Sequence, residues 1–176
     1  MGKRGMSLIE VVVVVAIIAV GAGMAIPNYL QWSSNEDLKA GVSDLKGALQ
    51  IARVSAMASG VPVAVSFNKP NADQYGIFID NGVGGGVARD GIWTADEVTI
   101  SPDGQQLPTA QAANAVQKFK GGIVFAPAPL QPTPAIEFLS SGRRSLPNDQ
   151  LDTVITLQND FGLQKQITVS PIGDIR

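Results

Sequence analysis

The stretch Lys3-Arg4-Gly5-Met6-Ser7-Leu8-Ile9-Glu10-Val11-Val12-Val13-Val14-Val15-Ala16-Ile17-Ile18-Ala19-Val20 sets one carboxylate, Glu10, at the front edge of a long apolar run. From Val11 to Ile26 no residue carries a charge, and Met6–Ile9 adds mostly apolar positions. Together they approach the roughly 20 residues that cross a bilayer as a helix. Valine-rich sequence suits strands in water, but a lone strand cannot cross lipid, where backbone groups must bond within the segment. A helix is the expectation. Lys3 and Arg4 precede it and no basic residue follows before Lys39. The excess of positive charge on cytoplasmic flanks therefore puts the N-terminus in the cytoplasm and the rest of the chain outside, in the periplasm of a two-membrane cell.

An ordinary secretory signal would share the basic start and the apolar core, and the small residues of Ala19–Ala25 could serve as its cleavage site. Glu10 argues against that reading. An ionised carboxylate in a membrane helix costs on the order of a few kcal/mol, so it calls for a partner.

Composition narrows the chemistry. The chain has 176 residues, enough for one modest domain and an appendage, with 16 % charged residues and a net charge of −2, so the charge balance carries no polyanion signal. It contains no histidine and no cysteine. That excludes Ser-His-Asp and Cys-His catalysis, histidine-ligated zinc, disulfides and thiolate metal sites. Lysine bases, carboxylate pairs and oxygen-liganded ions remain, but no catalytic constellation stands out. Neither enzyme activity nor a cofactor is expected.

Beyond Pro27 a helical stripe continues through Leu38, Val42, Leu45, Leu49, Ala52 and Ala56, spaced alternately four and three apart. Gly60 and Pro62 supply its stop. A helix from Met6 to about Ser59 is roughly 80 Å long at about 1.5 Å per residue. Pro27 is expected to bend it or melt it locally, and Asn35 to cap a restart, with Glu36 and Asp37 in the first turn. The pattern then turns to period two, with strand candidates at Val61–Phe67, Tyr75–Asp80, Val98–Ser101, Gly122–Phe125, Ala135–Leu139, Thr153–Leu157 and Gln166–Ser170. Asn159-Asp160-Phe161-Gly162 joins the last two as a hairpin. Asp80–Gly91 and Pro127–Pro134 read as loops. The expected class is α+β: a long N-terminal transmembrane helix packed on a C-terminal antiparallel β-sheet or β-sandwich domain.

Gly5-Met6-Ser7-Leu8-Ile9-Glu10 resembles the class III signal of type IV prepilins and type II secretion pseudopilins, and Pro27-Asn28-Tyr29 resembles a later step of the same helix. The likeness implies a leader at 1–5 removed between Gly5 and Met6 by prepilin peptidase, N-methylation of Met6, and Glu10 as the fifth mature residue. It further implies a transmembrane helix at 6–27 with a kink at Pro27, an amphipathic continuation at 28–60 and a periplasmic domain at 61–176. Where the family usually begins Phe-Thr, this chain has Met6-Ser7. The exposed Met6 amine of one subunit would meet Glu10 of the next. Two unit charges at 4 Å attract by about 4 kcal/mol at an effective dielectric of 20, comparable to the cost of burying the acid. The carboxylate then acts as a register device.

The C-terminal part narrows the likeness. Ile136-Glu137-Phe138, Gly142-Arg143, Thr153–Leu157, Ile167–Ser170 and Gly173-Asp174-Ile175-Arg176 resemble the GspH/FimT domain of minor pseudopilins, as does the helix around Asp44–Ala56. The family implies a structural subunit of a pseudopilus or type IV pilus, built with other pilins on an inner-membrane assembly platform. A pilus-tip binding module is the alternative.

Asp80, Asn81, Asp90, Asp96 and Glu97 collect oxygen ligands, but glycines at 82 and 84–86 occupy the places a calcium loop needs, so a surface turn is expected and no metal. Arg143, Arg144, Lys165 and Arg176 could form a basic tip for DNA phosphates. Asp149, Asp152, Asp160 and Asp174 interleave with them, so DNA is not the favoured partner. Trp93 and Trp32 are single aromatics rather than a base-stacking platform, and Trp32 suits a membrane interface.

Overall fold

The computed structural model describes residues 7–68, 71–83, 87–94, 96–107, 116–126, 135–146 and 151–176. One helix, α1 (Leu8–Ser59), runs for 52 residues, or about 78 Å. Extended Ser7 opens it, and Gly60 at φ 73° closes it by donating its N–H to Ala56 O at 3.0 Å. The closing residue must adopt a left-handed conformation, which glycine does at no steric cost. Its buried face carries Leu38, Leu45, Leu49, Ala52 and Ala56, as the periodicity requires, and adds Ser34, Gly41 and Ala48. Val42 is half-buried against the same core.

Two expectations about this helix are corrected. α1 does not melt at Pro27 but continues through it, and Asn35 caps no restart. Proline removes one rung, the N–H that would reach Gly23, while the Asn28 amide donates to Met24 O at 3.1 Å just beside the gap. The Asn35 side chain instead turns to the domain, accepting a hydrogen bond from Asn159 Nδ2 at 2.9 Å.

Two antiparallel sheets lie against the second half of α1. The first joins β1 (Val63–Phe67), β2 (Gln74–Ile79), β3 (Thr99–Ile100), β4 (Gln106–Leu107), β7 (Ala135–Phe138) and β8 (Arg144–Leu146) in the order β4-β3-β2-β1-β7-β8, with β5 (Gln117–Lys118) also paired to β2. The second joins β6 (Val124–Phe125), β9 (Thr153–Gln158) and β10 (Gln164–Val169) in the order β10-β9-β6. Period-two alternation sends Val63, Val65, Phe67, Ile77, Ile136 and Phe138 from one sheet, and Ile155, Leu157, Ile167 and Val169 from the other, into one core with the helix stripe. All seven strand candidates are present with shifted ends. β4, β5 and β8 are additions, too short to print a period. Pro127–Pro134 lies outside the described residues.

The back of the first sheet is also covered. Thr99, Phe78, Ala64 and Glu137 stand in one row across four strands, since Phe78 pairs with Thr99 and Ala64, and Ala64 with Glu137. All four are buried. Trp93, from the segment after β2, closes a small gap over Ser66, Gly76, Phe78 and Thr99.

At the far end of α1, Arg53 ties the chain together. Its Nε donates to Gly142 O at 3.0 Å and its Nη2 to Ile172 O at 3.3 Å. Gly142 (φ 75°) and Gly173 (φ 83°) make this approach possible: a Cβ on Gly173 would strike Gly142 O, and one on Gly142 would lie 2.7 Å from Met57 Sδ. The Gly-x-Ile-Arg ending is thus a packing requirement.

Candidate membrane and assembly surface

No residue of α1 ahead of Ser34 is buried. Large apolar side chains from Leu8 to Ile26 stand open, followed by Tyr29 and Trp32, whose rings pack 5.8 Å apart. The helix is long and apolar enough here to cross a membrane. A domain in water does not leave so large an apolar rod uncovered, so this surface is made for lipid or for neighbouring helices.

Glu10 lies in the first turn of α1, where the unpaired N–H groups favour an acid. Among the described residues no hydrogen bond or ion pair engages its side chain. Gly5 and Met6, the residues flanking the expected cleavage, lie outside the described residues.

In the acid-rich stretch after β2, the described residues 80–83, 87–94, 96 and 97 are tied back to their own base, with Trp93 over the sheet. Asp80 is fully buried and accepts the N–H groups of Arg89 (2.6 Å) and Gly91 (2.8 Å). Glu97, 1 % exposed, accepts those of Gly82 (3.2 Å) and Thr94 (2.9 Å). These bonds hold the described residues of the segment across its own base, and Arg89 is in a left-handed conformation at φ 68°. The Arg89 guanidinium lies 3.8 Å from buried Glu137 and donates to Ser145 Oγ at 3.0 Å, linking the segment to β7 and β8. Burial pushes the Glu137 carboxyl up, with Asp80 adding to it and the Ser145 hydroxyl opposing. Burial likewise raises Glu97, against the pull of its two N–H donors. Among the described residues no group of acids is arranged to hold a metal ion. Asp80, Asp90 and Glu97 each accept backbone N–H groups.

The four cations raised as a possible basic tip do not share one environment. Arg143 and Arg176 are exposed, but Arg176 pairs with Asp174 at 2.8 Å. Arg144 is 1 % exposed and its guanidinium donates to Leu151 O, so it is turned inward and offers nothing to DNA at the surface. Beside α1, a cleft of about 480 Å³ is bounded by Gly41, Asp44, Tyr75, Lys118 and Phe119. Burial, with Asp44 adding to it, pushes the Tyr75 hydroxyl up to about 12, so the cleft presents a neutral phenol.

Sequence reasoning missed Arg53, Arg89 and the buried roles of Asp80, Glu97 and Glu137. One sign was available: Glu137 alternates with Ile136 and Phe138, which fixes its face, though not the cover over it.

A helix half sheathed by antiparallel sheets and half bare, with a lone acid at its bare end, is the architecture of a pilin-type subunit. Residues 42–173 match the family described as Type II transport protein GspH, and residues 1–26 match the prokaryotic N-terminal methylation motif. A Fimbrial protein of Pseudomonas aeruginosa is 31 % identical over 124 residues, covering 69 % of this chain and 77 % of its own. The crystal structure of the type IV minor pilin FimU of Pseudomonas aeruginosa superposes with a TM-score of 0.53 at 13 % identity, covering 82 % of this chain and 90 % of FimU. The minor pseudopilin EpsH from the Type 2 Secretion System of Vibrio cholerae gives a TM-score of 0.49 at 14 % identity, covering 80 % of this chain and 94 % of EpsH. The chain belongs to the GspH family of minor pilins and pseudopilins. It is a membrane-anchored pilus or pseudopilus subunit, of a kind that assembles with other pilins in a filament.

Proposed function

We propose that this chain works by assembly rather than turnover. A prepilin peptidase removes residues 1–5, cutting between Gly5 and Met6, and Met6 is N-methylated. The mature subunit waits in the inner membrane on its Met6–Pro27 helix, N-terminus cytoplasmic and residues 61–176 periplasmic. The inner-membrane assembly platform then moves it into a filament, where Glu10 compensates the Met6 amine of a neighbouring subunit.

One observation carries the reading: the first half of α1 is bare and apolar, and its lone carboxylate has no partner within the described chain. Desolvation makes such an acid costly alone and tolerable beside a cation, so a correctly stepped subunit is favoured over any other register. The Glu10→Gln variant keeps the shape and removes the charge. It should be cleaved and remain in the membrane with its domain folded, yet be lost from sheared filaments by an order of magnitude or more. N-terminal sequencing of the membrane-extracted protein should begin at methylated Met6. Incorporation of Glu10→Gln at the wild-type level refutes the register role, and an intact Met1 or a start near Ala25 refutes the maturation.

A further inference from the structure

The rim of the domain nearest the bare half of α1 ends in an apolar turn. We propose that this turn is a second, peripheral lipid contact, with Phe161 and Leu163 seated in the headgroup layer beside the membrane helix. The proposal rests on reading α1 as the membrane span.

Ser34 is the first buried residue of α1, so the domain begins there. The element that meets the helix at that level is the β9–β10 hairpin, because Asn159 Nδ2 donates to Asn35 Oδ1 at 2.9 Å. The same Asn159 builds the turn: its Oδ1 accepts the N–H groups of Phe161 (3.1 Å) and Leu163 (2.9 Å), and its carbonyl accepts that of Gly162 (3.0 Å). One buried amide therefore both shapes the tip and pins its height on the helix. What the tip presents is apolar, with Phe161 53 % and Leu163 44 % exposed. Of the acids nearby, Glu36 pairs with Lys39 at 2.5 Å, Asp37 lies against Gly121 and Asp160 against Gly122, the last of them exposed within the turn itself. Lys120, on the neighbouring turn, is exposed.

The depth follows from the helix. With Glu10 at the cytoplasmic edge, a hydrocarbon core about 30 Å thick ends near Leu30 at about 1.5 Å per residue. Tyr29 and Trp32 then fall at the outer interface, where aromatic rings concentrate. Asn35 stands about 7 Å higher, within the headgroup shell, which is about 5–8 Å deep on each side. A phenylalanine at that height, on a turn tied to the helix, meets lipid rather than bulk water.

The absence of cysteine permits clean single-site spin labels. Ile17→Cys, Val54→Cys, Phe161→Cys and Leu163→Cys would each be labelled in the full chain. Each is reconstituted in phosphatidylethanolamine–phosphatidylglycerol vesicles at large lipid excess and checked for native circular dichroism. Collision rates with oxygen and with a water-soluble nickel chelate report depth. We expect Ile17 to be deep, Val54 aqueous, and Phe161 and Leu163 within a few ångströms of the phosphate plane, at least threefold less accessible to nickel than Val54. Adding Phe161→Ser should return the Leu163 label toward water. A deep Ile17 with both tip labels as wet as Val54 overturns the proposal and leaves the anchor standing. If Ile17 is itself aqueous, the membrane span has failed. Shielding that appears only at high protein-to-lipid ratio assigns the tip to another subunit and also overturns the proposal.

Discussion

Replacing Gly173 by alanine measures how tightly the end of the chain is locked to α1. Gly173 sits at φ 83°, where an L side chain is strained by about 1–2 kcal/mol. Its new methyl would strike the Gly142 carbonyl and lie 3.0 Å from Arg53 Nε. That carbonyl accepts the Arg53 Nε hydrogen bond, so relieving the clash breaks a charge-assisted bond worth about 1.5–3 kcal/mol. The sum is about 3–5 kcal/mol, a large part of a typical stability of about 5–15 kcal/mol. At about 2–4 °C per kcal/mol for a chain of this size, the midpoint should fall by roughly 6–20 °C. The control is the same chemical change at Gly47, which lies inside α1 with no atom within 4 Å of its new methyl. There alanine should stabilise by about 0.5–1 kcal/mol by lowering the entropy of the unfolded chain. Thermal and denaturant unfolding in mild detergent, followed by circular dichroism, compares the pair. Equal effects at the two positions, or a tolerated Gly173→Ala, would show that the Arg53 lock is misdrawn.

Three further outcomes can be measured. Because burial raises Glu97 and Glu137 above their ordinary 4.5, the folded chain binds more protons than the unfolded chain just above that value. These two groups therefore make stability fall as pH rises through the raised values, and mild acidification restores it. Glu137→Gln should be more stable than wild type at pH 7, with the gap closing toward pH 4.5 in denaturant titrations. Asp80→Ala orphans the N–H groups of Arg89 and Gly91 and should cost about 2–4 kcal/mol. It should also shift Trp93 emission to the red and release the amides of 81–94 to rapid hydrogen exchange. Arg144→Ala should lower the unfolding midpoint by several degrees while Arg143→Ala changes it by less than 1 °C, a contrast that a shared surface role for both would not produce.

The helix and the strand inventory were legible because they repeat. The stripe from Leu38 to Ala56 and the alternation in Val63–Phe67 or Thr153–Gln158 each recur often enough to fix a period and a face. What the sequence concealed was what comes to rest on those faces. Glu137 alternates with two apolar residues, which fixes its face, but only the fold brings Arg89 and Ser145 to rest beside it. Arg144 sits beside Arg143 as an apparent basic pair, yet strand geometry sends adjacent side chains to opposite sides, one inward and one to solvent. Asn35 has the chemistry of a cap, but its partner lies 124 residues away on a hairpin. Glu10 was legible for the opposite reason: a charge in an apolar segment is conspicuous without any fold.

The Arg53 tie bears on timing. The carbonyls it grips follow it by 89 and 119 residues, and the second belongs to Ile172, four positions before the last residue shown. Before Ile172 is made, Arg53 lacks its second carbonyl and β10 its return to Ile175. Contacts of such long sequence separation must wait for loop closure, so the Arg53 lock is expected among the last native bonds to form.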